Sequence, residues 1–187
     1  LMNTECIPAQ LEFQGASGRR VLGAFDGGHI SSDGGALLLR ELDARLGITR
    51  RLAQCFTDHR HEDFIEHSVL ELVRQRVYGL ALGYEDLNDH DDLMRDPCLA
   101  LALGKADIEG VARRRASDRG KALASSSTLN RLELTPADAN SQSRYKKIVY
   151  HPERLDSLLV ELFLDSYKEA PKEIILDIDA TDDPVHG

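Results

Sequence analysis

Three stretches of this 187-residue chain repeat their apolar residues every three or four positions, and a chain so built must pack helices against one another. In the first, Leu38, Leu39, Leu42 and Leu46 share one helical face, Ser31, Ser32 and Asp33 offer N-cap oxygens and Gly47 a stop, which reads as a core-packing helix. In the second, Val69, Leu72, Val73, Val77 and Leu80 recur along a helix expected from about Ile65 to Leu82 and ended by Gly83. In the third, Pro152 suits a first turn, Leu155, Leu158, Leu159, Leu162 and Phe163 form the stripe, and Pro171 closes it.

The intervening segments carry weaker signals. LEFQG and RRVLGAF, flanking Gly15, Ala16, Ser17 and Gly18, read as a hairpin within residues 10–30. Residues 84–103 read as short helices, broken and restarted at Asp96-Pro97. Residues 106–142 turn polar and basic, with a short helix expected around Thr128 to Leu134 after Ser125, Ser126 and Ser127. The run EIILDID at 173–179 is short and β-branched, as in a strand buried on at least one face. The fold class is therefore mainly α in the N-terminal region, with a short β-hairpin, leading into a strand.

The longest apolar run, at 98–103, is far short of the ~20 residues that span a bilayer. The N-terminus lacks a basic start followed by an apolar stretch, so neither membrane insertion nor secretion is supported. Cys6, Cys55 and Cys98 stand more than forty residues apart, which gives neither a disulfide framework nor a zinc pair and makes a reducing cytoplasm the default. The formal charge of -9 argues against indiscriminate coating of nucleic acid, yet it conceals a partition. Residues 105–147 hold ten Lys or Arg against five Asp or Glu, while residues 153–183 hold three against ten. A basic middle lies between acidic flanks.

In the basic middle, Arg113, Arg114, Arg115, Arg119 and Lys121 precede the short helix whose Ser127, Thr128, Asn130 and Arg131 could meet phosphates or base edges; a solvated charged loop is the alternative. In the final strand, Asp177 and Asp179 would share a face opposite Ile174, Leu176 and Ile178. Two neighbouring carboxylates repel, so either one is protonated or exposed, or a cation sits beside them; a solvated acidic turn is the alternative. His59 and His61 in DHRHED lack a further close ligand cluster and read better as a polar linker before a helix. Gly27-Gly28 and Gly34-Gly35 lack the lysine and spacing of a phosphate loop.

One resemblance covers essentially the whole chain. FDGGHISSDGG at 25–35, HSVLELVRQR at 67–76, GYEDLNDHD at 83–91, RDP at 95–97, LASSSTLNRLE at 123–133 and LDIDATDDPVHG at 176–187 stand in the order found in insertion-sequence transposases of the DDE superfamily. The set resembles the insertion-sequence thirteen-eighty family, or group one of the DDE transposases. No single motif would suffice, but the ordered set is specific.

The resemblance implies a catalytic domain like that of RNase H, in which three carboxylates hold two Mg2+ ions over the scissile phosphate. It makes Asp179 the candidate for the first of these metal-binding catalytic residues, with Asp177 as runner-up. It also implies DNA as partner, through the terminal inverted repeats of an element, with homo-oligomerisation on DNA left open, no membrane role, and a cytoplasmic, nucleoid-associated location. The expected division is a hairpin and helical DNA-binding region over 1–150 and the helix and first strand of an incomplete catalytic domain over 151–187. Because the second Asp and the final Glu of the triad are missing before Gly187, the chain is expected to be an N-terminal portion, inactive alone. The rivals are a non-enzymatic DNA-binding module derived from such a transposase and a small metal-dependent hydrolase, for which further ligands are lacking.

Overall fold

Helix α3 (Val69–Ala81) begins four residues later than its apolar pattern suggests, because the chain first makes a 3-10 turn (Glu62–Phe64) and then a capping box. The Ser68 hydroxyl accepts from the Glu71 amide at 3.2 Å, and the Glu71 carboxylate accepts from the Ser68 amide at 2.8 Å, which satisfies two otherwise orphaned donors. At the other end Gly83, with φ +94°, reverses the chain so that its amide reaches Leu80 and that of Tyr84 reaches Gly79.

A computed structural model describes residues 10–24 and 32–176. Around α3 stand the hairpin β1 (Leu11–Ala16) and β2 (Arg19–Gly23), then α1 (Gly35–Leu46), α2 (Ile48–Ala53), β3 (Phe56–Asp58), α4 (Asp89–Leu93), α5 (Pro97–Leu103), α6 (Ser126–Glu133), β4 (Ile148–Tyr150) and α7 (Pro152–Asp165). The hairpin turns on Ser17 and Gly18, both at positive φ, as the right-handed twist of paired strands requires. The second sheet, antiparallel β3–β4, has no counterpart in the sequence pattern; it pairs Phe56 with Tyr150 and Asp58 with Ile148. Among the described residues the architecture is thus mixed helical with two small antiparallel sheets.

Helix α3 serves two cores. Tyr78 packs with Leu37, Leu93, Leu99, Leu103 and Leu123, whereas Leu72 and Val73 pack with Leu129, Leu132 and Ile148. Between them sits a polar joint. The buried Gln75 amide donates to the Ala124 carbonyl at 2.8 Å and accepts from the Ala124 amide at 2.9 Å, so one side chain pairs with the backbone as a strand neighbour would. Its nitrogen also lies 3.2 Å from Nδ1 of the fully buried His90, whose ring packs on Gly79. A second buried joint centres on Asp43, which accepts from the Thr49 amide and hydroxyl and from the Tyr78 hydroxyl, with Arg74 at 3.6 Å. Burial, then the Asp43 charge, raises the Tyr78 pKa, so the phenol stays a donor.

Several expectations are corrected. Leu38, Leu42 and Leu46 are 63%, 51% and 52% exposed, because α1 turns Ala36, Leu37 and Asp43 inward instead and only Leu39 of the expected stripe is partly buried. Gly34 rather than a serine precedes α1; the Asp33 carboxylate accepts from the Tyr84 hydroxyl at 3.0–3.1 Å. Leu80, on the outer face of α3, is exposed. Helix α7 stops at Asp165, ahead of Pro171, and of its stripe only Leu158 is fully buried. The expected strand at 173–179 is not formed over 173–176: among the described residues nothing pairs with Ile174, Ile175 or Leu176, and Ile175 is 87% exposed. Asp177 and Asp179 lie outside the described residues, as does Ser31.

The Gly79–His90 contact gives a direct test. A Cβ on Gly79 would lie 2.8 Å from Cε1 and 3.1 Å from Nε2 of His90, whose ring has no room to move without leaving Gln75. Gly79→Ala should lower the unfolding free energy by about 1–2 kcal/mol, against the gain of about 1 kcal/mol for the same change at an unhindered helix site. Urea unfolding measures it; an equal or higher midpoint contradicts the packing.

Candidate nucleic-acid interface

The basic middle is held on α3 by the joint at Ala124. From there α6 starts, and Asp91 fixes its first turn: one carboxylate oxygen accepts from the Ser126 amide and the other from its hydroxyl, both at 2.9 Å. The positive end of α6 is therefore neutralised from within. Upstream, residues 105–121 form an ordered loop. The Asp107 carboxylate accepts from the Ala112 amide at 2.7 Å, and hydrogen bonds from this and neighbouring amides pull its pKa down despite some burial. Gly110, at φ +68°, admits the passing backbone of residues 121–122 where a Cβ would come within 2.6 Å of the Ala122 nitrogen.

Carboxylates sort the cations of this region. Arg113 is mostly buried and pairs with Glu66 at 2.8 Å while its guanidinium also meets His67; Lys105 pairs with Glu71 at 2.9 Å and reaches the other ring nitrogen of His67 at 3.0 Å. Arg114 donates to the Asp63 carbonyl and covers the Phe64 ring. Lys121 lies 4.0 Å from Asp118, and Lys147 donates to the Ser141 carbonyl. By contrast, Arg115, Arg119, Arg131 and Lys146 make no ion pair or side-chain hydrogen bond among the described residues. Of the residues singled out from sequence, Arg113 thus acts inside the fold, whereas Arg115, Arg119 and Arg131 offer unneutralised charge.

Ser127, Asn130 and Arg131 line a groove of about 600 Å3 together with Asp86, Leu87, Asn88, Ser126, Tyr145 and Lys146. Thr128 stands beside it, its hydroxyl 3.3 Å from that of Ser125. Sequence reading missed Tyr145 and Lys146, although the run RYKK at 144–147, with its aromatic among cations, carried the signal.

Among the described residues no three His, Cys, Asp or Glu side chains converge to hold a metal ion. Asp33, Asp89, Asp92 and Asp96 do line one pocket, but Asp33 is engaged by Tyr84 and Asp96 caps α5 through the Leu99 amide. His61 is exposed and caps the 3-10 turn, consistent with a polar linker there. The described part of the chain does not fit a metal centre.

His67, which opens the motif at 67–76 but is given no role by the sequence, anchors the loop. Lys105 and Arg113 are donors only, and a neutral imidazole has one lone pair, so the ring accepts a hydrogen bond from one of the two; once protonated it could accept from neither. Burial, then Lys105, Arg113 and Arg60, lower its pKa to about 3. The unfolded chain binds this proton near pH 6.5 and the folded chain does not, so stability is present above that pH and falls as the pH drops toward 3. His67→Gln should flatten the decline of unfolding free energy between pH 6.5 and 4; a slope equal to that of the parent contradicts a buried neutral His67.

No helix among the described residues is long and apolar enough to cross a membrane. No curated protein and no solved structure matches the chain. The profile of the family described as Transposase DDE domain group 1 does match, over residues 13–187. That span takes in the hairpin from Phe13 onward, every helix among the described residues, the groove and the acidic C-terminal motif, and the family implies transposition-related nuclease chemistry on DNA. This chain belongs to the group 1 transposase DDE domain family.

Proposed function

We propose that the chain is the DNA-recognising N-terminal portion of a transposase of the insertion-sequence thirteen-eighty family, which binds the terminal inverted repeats of its element and leads into an RNase H-like catalytic domain. The observation that carries the reading is the placement of Arg115, Arg119, Arg131 and Lys146, cations left without carboxylates while their neighbours are neutralised. Phosphate contacts need such charge, since each one releases condensed counterions. The division of labour follows the chain: residues 1–150 bind DNA and residues 151–187 open the catalytic part.

For the chemistry, Asp179 in the DAT motif is the proposed metal-holding carboxylate, with Asp177 as the alternative. A divalent ion such as Mg2+, when bound, stabilises charge on the oxygens of an in-line phosphoryl displacement. The residues around α6 do not take part in that step; they hold the duplex.

Two measurements test this reading. With a mixed-sequence duplex and fluorescence anisotropy over a salt series, replacing Arg115, Arg119 and Arg131 by Gln should weaken binding and reduce the slope of log K against log salt by about 0.9 for each phosphate that is no longer neutralised. Arg113→Gln should instead lower thermal stability, and an unchanged slope in the triple variant rejects the placement. In a transposase that contains this sequence and cleaves DNA, Asp179→Asn should abolish cleavage and leave binding intact. Full cleavage by that variant with Asp177→Asn inactive transfers the role to Asp177.

A further inference from the structure

The groove beside α6 has a composition that duplex binding alone does not use. Tyr145 lines it and is 60% exposed, although a tyrosine gains most by burial. The Arg144 guanidinium lies 4.8 Å from the ring centroid and backs the ring as a cation–π partner. Arg131 and Lys146 stand on the same groove, whose lining carboxylate, Asp86, accepts from the Asn88 amide at 2.8 Å. Leu87, Asn88, Ser126, Ser127 and Asn130 complete the lining.

An aromatic face is of little use to an intact duplex, whose bases already stack on one another and show only their edges. It suits a base that has left the stack, because every base has a π-face and gains by covering it. Cations beside the ring then meet the flanking phosphates. The helix end contributes no phosphate site, since Asp91 already occupies the first turn of α6.

We propose that this groove binds an unstacked nucleotide of single-stranded DNA, with the base on Tyr145 and the adjoining phosphates on Arg131 and Lys146. The proposal rests on the DNA-binding reading above and adds that the chain distinguishes opened from closed DNA.

The test uses the 187-residue chain, fluorescence anisotropy and three probes: a blunt mixed-sequence duplex, the same duplex with a short thymidine overhang, and oligothymidine. Tyr145→Leu should weaken binding of the overhang and single-strand probes about 5- to 100-fold and leave the blunt duplex within twofold. Tyr145→Phe, which keeps the ring, should restore the affinity. Since Tyr145 is exposed, the thermal midpoint of both variants should match the parent. Equal affinities of the parent for all three probes, or an equal effect of Tyr145→Leu on all three, overturns the stacking site while the duplex reading stands. Failure of every probe to bind overturns both.

Discussion

The side-chain amide of Gln75 is the contact on which the arrangement of this protein depends. Buried between two apolar clusters, it satisfies both backbone groups of Ala124 and turns toward His90, so α3, α4 and the start of α6 meet at one residue. A buried amide is tolerable only when its groups are paired, and here the partners come from 49 and 15 residues away. The pairing sets the height at which the chain passes α3. It therefore sets where α6, its groove and the preceding basic loop stand.

Electrostatics then divides that surface. Glu66, Glu71, Asp118 and Glu133 draw Arg113, Lys105, Lys121 and Arg76 into the fold, which leaves a smaller set of cations outside. Around His67 three cations and their carboxylates close over a ring that must remain neutral, so the loop that carries Arg114 and Arg115 is docked on the N-terminal end of α3. An acidic protein with a basic middle can in this way present positive charge at chosen points without a broad cationic face.

Much of the outline is legible in the sequence. Gly83, Asp96 with Pro97, and Gly47 mark helix ends correctly to within a few residues, because caps and stops act over one turn of chain, whereas the start of α3 is set by the Ser68–Glu71 capping box rather than at Ile65. The faces are less legible. The leucine stripe of α1 predicts the wrong side, since Asp43 goes inward to meet Thr49, Tyr78 and Arg74, and no periodicity rule anticipates a buried carboxylate with three partners. The three-residue strands Phe56–Asp58 and Ile148–Tyr150 leave no sequence signal because each is too short to show a period, and each exists only through the other.

The sequence by itself determined roughly where the long helices lie, that residues 105–147 are basic, and, through an ordered set of motifs, membership of the transposase family. Those properties are written in neighbouring residues or in bare composition. Only the tertiary structure decided which leucines are covered, which arginines are neutralised, and that Tyr145 meets Arg131 and Lys146 on one groove. These depend on partners far along the chain, such as Glu66 for Arg113 and Ala124 for Gln75, and the strength of a charge or an amide contact is set by distance and burial, which a linear pattern does not contain.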